Sequence, residues 1–489
     1  MFKKLLSLLS DALTYGASSI LGQIIGFLLL PLYTRHLEVV DQWVIAMLVI
    51  VSQVFLPLAN LGMTAAIFRR FSLEKSLEER ACSLVTAMTS VSCAALFWAA
   101  VGCLAAGSIS WAIVGDASIA GLVRLTMISA AANAIGAVPL ASLRADRRVK
   151  TASLINLAKL LLTIALTILL VVVYEWRAAG VVVAGLVAEL VLLLVQFGLT
   201  ARAFRALPRW AAWRRLASYG VPFLPHHLQS LLMVVFAQYW VGRALSEYDG
   251  GLYATAIKIT TPVSFIVTSV QSAWVAFKFQ IHAEDDDPAG FFRAVVTYYV
   301  AAIAYLWVGV CFWGPEVVWL MTPPDYHAAA WLIPGVGLIP VAQGLYFMLG
   351  TGMELTDNTR KMPLVSLSGL ITSIILSLTL VQPLGATGAA IATSAAWMAM
   401  TIAIYRISRQ CFRIDYDWPA LTGFAMLAAA GAGLGYLSQS WTPVPRIGTA
   451  IAVSLLFPAI EFLVLCRSST ERHRMQALLS RLRPASVTT

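Results

Sequence analysis

The chain has 489 residues, of which 60% are hydrophobic and only 12% charged, and it carries a formal net charge of +10. A soluble domain holds about a quarter of its residues as charged groups, because it must clothe its core in polar surface. This composition therefore excludes a soluble protein, and no stretch between the apolar runs is long enough for a globular catalytic head.

The chain opens with Met1-Phe2-Lys3-Lys4, a basic start of the kind seen in signal peptides, but Asp11 interrupts the apolar run and no small-residue cleavage site follows. This end reads as an uncleaved cytoplasmic cap. Runs of about 20 apolar residues, enough to cross some 30 Å of hydrocarbon, then recur to the end of the chain. They place spans at 12–32, 43–62, 84–106, 119–142, 153–173, 180–199, 220–242, 251–275, 294–314, 330–350, 363–381, 386–404, 419–437 and 447–466. The expected fold is all-α and integral to the membrane, with about fourteen transmembrane helices. A basic linker (201–218) separates a six-helix lobe (1–200) from a second one (219–410). A terminal pair, helices 13 and 14 (411–466), and a cytoplasmic tail (467–489) follow.

Orientation follows from the resistance of Lys and Arg to translocation. With the N-terminus inside, the cytoplasmic segments hold 27 of the 34 Lys and Arg, and the outer loops hold only Arg35, Arg177, Arg243 and Arg446. The chain is thus expected in the inner membrane, with both termini in the cytoplasm. The excess positive charge is accounted for by loops facing anionic headgroups, so no nucleic-acid partner is invoked. The linker places Trp210 and Trp213 among arginines, as expected of a segment on the membrane surface. In the tail, Met475, Leu478, Leu479 and Leu482 share one helical face among arginines, a pattern of either a short amphipathic helix or an ordinary solvated tail.

The two six-span blocks show a weak repeat. Tyr15-Gly16 and Tyr219-Gly220 open spans one and seven, Pro57 and Pro262 lie within spans two and eight, and Phe68-Arg69 and Phe277-Lys278 leave those spans. Repeats of the same orientation imply an axis along the membrane normal, with a cavity between the halves. Pro222, Pro225 and Pro262 are expected to kink spans seven and eight, either for movement or for packing alone. The six cysteines (Cys82, Cys93, Cys103, Cys311, Cys411, Cys466) show neither metal nor disulfide spacing, and no Walker motif or other cofactor signature is present.

The informative residues are charges within the apolar runs, each expensive unless it faces the bundle interior or a wet cavity. The basic ones are Arg35, at the outer end of span one, Arg124, Lys159 and Lys258. Glu189 and Glu461 are the acids well inside spans. None of Arg124, Lys159 and Lys258 has an acid at i±3 or i±4. Four cations against one acid in the first twelve spans point to a cavity of positive potential, suited to an anion and to phosphate above all. The other reading of Arg124, Lys159 and Lys258 is snorkelling, since each lies about 10 Å or less from a predicted boundary. Lys159 has the further option of pairing with Glu189 across helices, where Glu189 is otherwise a candidate for ion coupling. His226 and His227 line a cavity or form a structural pair. The acidic cluster Glu284-Asp285-Asp286-Asp287 reads as a solvated turn.

Tyr15-Gly16 through Gly26-Phe27-Leu28-Leu29-Leu30-Pro31-Leu32-Tyr33-Thr34-Arg35 resembles the first span of the polysaccharide transporters, the Wzx-type oligosaccharide flippases of the multidrug/oligosaccharidyl-lipid/polysaccharide (MOP) superfamily. Tyr219-Gly220-Val221-Pro222 with Pro225-His226 is similar to their seventh span, and Gly251-Leu252-Tyr253 with Ile257-Lys258 to their eighth. Tyr326-His327-Ala328-Ala329 and Gly385 to Thr393 also fit. The resemblance covers roughly residues 10 to 410. It implies a flippase, not an enzyme, that carries undecaprenyl-pyrophosphate-linked oligosaccharides between leaflets by alternating access of two lobes, driven by an ion gradient or the membrane potential. It also implies membrane lipids, and a polymerase and glycosyltransferases of the same pathway, as partners. Arg35 and Lys258 match positions that recur in the family pattern. Spans thirteen and fourteen depart from the commoner twelve-span layout and resemble the lipid II flippase branch. Three rival readings remain. A cation-coupled drug exporter would need acids within the lobes, a membrane glycosyltransferase or polymerase would need carboxylates or a large loop, and a non-transporting scaffold is not distinguished by sequence.

Overall fold

A computed structural model describes residues 27–467 apart from 28, 74–75, 147, 202–205, 222–223, 285–286 and 357–360. The described residues form helices joined by short turns, with no strand among them. Lipid offers backbone N–H and C=O groups no water, so a spanning segment must satisfy them within itself, as a helix does. In chain order the helices are α1 (Leu30–His36), α2 (Val39–Asn60), α3 (Met63–Leu73), α4 (Leu77–Leu104), α5 (Ala106–Val114) and α6 (Ala120–Ala145). Next come α7 (Val149–Thr167), which ends in a π turn over Ile168–Val173, then α8 (Arg177–Thr200), α9 (Trp210–Gly220), α10 (Leu224–Ala244) and α11 (Glu247–Glu284). The chain continues with α12 (Pro288–Met321), a 3₁₀ segment at Pro324–Leu332, α13 (Ile333–Leu349), α14 (Thr351–Leu355), α15 (Met362–Leu384), α16 (Ala386–Cys411), α17 (Trp418–Ser438) and α18 (Pro443–Arg467).

Twelve helical segments are long and apolar enough to cross a membrane, and α9 with α10, bent by 46°, makes a thirteenth if the two count as one span. The chain is a multi-pass membrane protein. Each expected span from the second to the fourteenth has its counterpart here. The first, at 12–32, lies outside the described residues except at its outer end, where α1 begins. Also outside are Tyr15-Gly16 of the weak repeat, Pro222 and the tail helix. The end of the bundle with the cation-poor loops is called outer below, and the cation-rich end inner.

Two helices run further than their apolar stretches. The 38 residues of α11 rise about 57 Å, nearly twice the hydrocarbon thickness, so its last turns leave the membrane. Pro262 sits inside its continuous run, and a bend of 46° near span seven falls between α9 and α10. Asp287, read as part of a solvated acidic turn, accepts from the Gly290 N–H at 2.9 Å and caps α12, satisfying a donor that the first turn leaves over. The two halves also differ from each other here. Where α11 runs on without a break, its first-half counterpart breaks at Leu61 (φ 52°) and Gly62 (φ 71°), and the chain turns into α3.

Two groups of helices pack internally. In the first, α6 carries Ala130, Ala131, Ala134 and Ala141 into the core and lies against α2, α3, α4 and α8, while α7 leans on α8. In the second, α10 packs on α15, α15 on α16, and α13 on both α11 and α16. Small residues let these backbones approach where lipid supplies no hydrophobic drive to association. Between the groups, α2 lies on α10 and α11. The terminal pair packs on α12, with Phe457 and Ala428 against Val308 and Phe312. Arg446 of α18 is fixed to Glu316 of α12 by two bonds of 2.6 and 3.1 Å, with its guanidinium 3.7 Å from the Trp319 ring centroid.

Candidate functional site

The junction of the two groups is shut at its outer end. Trp43 of α2 is fully buried and its indole fills the space left by two glycines of the second group. A Cβ at Gly242 would lie 2.1 Å from the ring, and one at Gly250 2.4 Å from it. Beside it, Val39 O packs so closely on Gly251 that no side chain fits. The buried Tyr326 donates its hydroxyl to Leu37 O at 2.7 Å, and Thr34 donates to Met321 O at 3.3 Å. At the inner end Gly62, left-handed at φ +71°, meets Gly220 at the end of α9 backbone to backbone, with no room for a Cβ on either.

Between these closures stands Lys258 on α11. Its Nζ donates to Gln42 Oε1 of α2 at 2.5 Å and lies 5.4 Å from the centroid of the Tyr33 ring on α1. An amide oxygen and an aromatic face recover part of the solvation that an ammonium loses on leaving water, without cancelling its charge. Gln42 is fully buried and its Nε2 has no hydrogen-bond partner among the described residues. Pro262, one turn on, has no N–H to give to the Lys258 carbonyl. The junction therefore holds a positive charge, an unused donor and a freed carbonyl within one helical turn of each other across the two groups.

Three other cations are neutralised by carboxylates. Lys159 is ion-paired with Glu189, and the Asn133 amide donates to the same carboxylate, which locks α6, α7 and α8 together. Lys278, assigned by sequence to a loop, is almost wholly buried and paired with Glu354, while Arg446 is paired with Glu316. Arg124 is exposed and donates to Cys103 O at 3.4 Å. Arg35 is exposed in the last turn of α1, near the outer ion pair of Glu38 and Arg177 at 2.8 Å. Of the four sequence-selected cations, then, Lys258 alone sits at the junction. His226 is half-buried near the start of α15 and His227 is exposed. Gln42 and Trp43 were not singled out by sequence, and Tyr326 entered only as part of the family resemblance. An uncharged amide or an aromatic in an apolar run raises no alarm, and only its partner across the junction gives it a role. No group of three or more His, Cys, Asp or Glu that could hold a metal occurs among the described residues.

A family model described as "Polysaccharide biosynthesis protein" matches residues 32–330. Among solved structures, the chain is similar to the lipid II flippase MurJ in an inward closed conformation, at 14% identity and a TM-score of 0.71, over 93% of this chain and 99% of that one. It is also similar to an inward-facing multidrug resistance MATE family transporter of the MOP superfamily (14% identity, TM-score 0.59, 85% of this chain and 96% of that one). A MOP superfamily transporter from Pyrococcus furiosus, described as having a binding pocket of reversed polarity, matches at 14% identity and a TM-score of 0.59, over 86% of this chain and 96% of that one. At these identities the likeness establishes the fold. No curated protein sequence matches.

Proposed function

Because the chain belongs to the polysaccharide biosynthesis protein family, we propose that it is a flippase that carries undecaprenyl-pyrophosphate-linked oligosaccharide repeat units from the inner to the outer leaflet of the cytoplasmic membrane. Residues 1–200 and 219–410 act as the two lobes of an alternating-access carrier, joined by the linker 201–218, with both termini in the cytoplasm. The observation that carries this reading is Lys258. It is a cation held between the lobes by an amide and an aromatic ring, while Lys159, Lys278 and Arg446 have carboxylate partners. A pyrophosphate entering the junction would replace Gln42 as the acceptor of the Lys258 ammonium, and the Gln42 amide would turn a donor to it. Such charge-assisted bonds are about twice as strong as neutral ones. Arg35 stands on the outer side as the cation met on exit. The carrier needs no cofactor, and the pathway's polymerase and glycosyltransferases work beside it.

A second reading, transport of a lipid II-type substrate, draws support from the terminal helix pair and from the extent of the fold likeness to MurJ. Export of cationic drugs is disfavoured, because Glu189, the acid available to a cation in the first lobe, is already held by Lys159 and Asn133.

The test is deletion of the gene in its host, with the leaflet location of undecaprenyl-linked oligosaccharides as readout. Complete repeat units are expected to accumulate on the cytoplasmic face and to be cleared by the wild type. Lys258→Ala, reaching the membrane at normal levels, is expected to lose at least tenfold in transport. Unchanged delivery to the outer leaflet in the deletion strain would overturn the proposal.

A further inference from the structure

The α9 segment carries a surface that the carrier reading leaves unused. Its buried face, Ala212, Leu216 and Ala217, packs on α3 and α4. Its opposite face is exposed over Trp210, Arg214 and Arg215, and the exposed Leu207 and Arg209 precede it. Leu207 and Trp210 are 77% and 72% exposed, unusual for large apolar side chains at the cation-rich end. They are nonetheless fixed in place. Trp210 stacks on Trp213 at 4.5 Å between centroids, the Trp213 indole donates to Ser90 at 3.1 Å, and the Arg209 N–H donates to Thr86 at 3.1 Å.

Those anchors set the depth. Thr86 and Ser90 belong to α4, whose outer end is Leu104. The helix from Leu104 back to Thr86 rises about 27 Å, close to the ~30 Å of a hydrocarbon core. Residues 207–215 therefore lie at the boundary between acyl chains and headgroups. Charge is one-sided as well, since residues 190–246 contain no Asp or Glu. Arg215 uses its Nε on Ala211 O at 3.1 Å, which leaves its terminal nitrogens pointing away from the helix backbone bond.

We propose that Leu207–Arg215 is a docking surface for the headgroups of anionic phospholipids. Leu207 and Trp210 enter the acyl boundary, and Arg209, Arg214 and Arg215 bind lipid phosphates from above it, the division of labour expected of an interfacial Trp–Arg helix. With each arginine contributing on the order of fivefold in affinity for an anionic surface, the three together give on the order of a hundredfold. Salt weakens this attraction.

The test titrates the purified full-length protein with phosphatidylglycerol or phosphatidylcholine and counts retained lipids by native mass spectrometry. Wild type is expected to prefer phosphatidylglycerol, and Arg209→Gln/Arg214→Gln/Arg215→Gln to lose that preference. Lys361→Gln/Arg406→Gln/Arg409→Gln removes equal charge from exposed positions elsewhere at the inner end, beside α15 and in the last turns of α16, and should keep it. A preference that survives in the α9 variant, or falls equally in both variants, would overturn the proposal by leaving only a diffuse field. Lipid retention is read without transport, so the result stands apart from the flippase reading.

Discussion

Lys258 and Lys159 are chemically identical and were equally conspicuous as charges in apolar runs, yet their surroundings give them opposite roles. Lys159 meets a carboxylate and becomes part of the frame, whereas Lys258 meets an amide and keeps its charge. Gln42→Glu should convert the second case into the first. A carboxylate 2.5 Å from the ammonium would compete with any phosphate, and loss of one charge-assisted contact worth about 1.5–3 kcal/mol predicts at least a tenfold fall in transport with no loss of melting temperature. The same change made in the frame acts on stability instead. Lys159→Ala strands Glu189 in a half-buried site, which costs about 2–3 kcal/mol, discounted from the fully buried case because the lysine is partly exposed. Thermal unfolding in detergent should show the loss, and adding Glu189→Gln should restore most of it. The pairing of Lys159 with Glu189 was one of the options the sequence offered, and the structure takes it, whereas the contact of Lys258 with Gln42 was not legible, because which amide a buried lysine meets depends on helix rotation and not on spacing along the chain.

At the level of elements, the spans were legible because a bilayer demands about 20 apolar residues and little else in a sequence imitates that demand. What escaped were the places where packing or capping overrides local preference. The helix α11 continues through Pro262 and carries Lys278 beyond the apolar stretch to Glu354, and the surface helix α3 follows the left-handed break at Leu61–Gly62. The outer closure was hidden for a related reason, since Gly242 and Gly250 are visible as glycines but not as the walls of a slot for Trp43. Gly250→Ala puts a methyl 2.4 Å from that indole and should lower the melting temperature by several degrees. Trp43→Leu in the same chain should recover part of the loss, because it removes the atoms that clash. Failure of Trp43→Leu to recover any stability would mean that the glycine serves something other than this slot.

Across the whole molecule the two closures are unequal. The outer one buries Trp43 and Tyr326 and adds two hydrogen bonds to main-chain carbonyls, while at the inner one Gly62 and Gly220 meet backbone to backbone. Separating large buried aromatic surface costs roughly 25 cal/mol per Å², whereas parting two glycines exposes little. Spin labels should register the difference without substrate. The pair Ala65→Cys/Ser272→Cys, exposed positions on α3 and α11 at the inner end, is expected to give a broad distance distribution reaching long separations, and Val40→Cys/Ser246→Cys at the outer end a narrow one. Equal widths would remove the asymmetry. An empty carrier of this build behaves like a turnstile whose bolt is heavy on one side and light on the other. On the flippase reading it would idle unlatched toward the inner end, and the cargo would bring the energy that draws the heavier bolt.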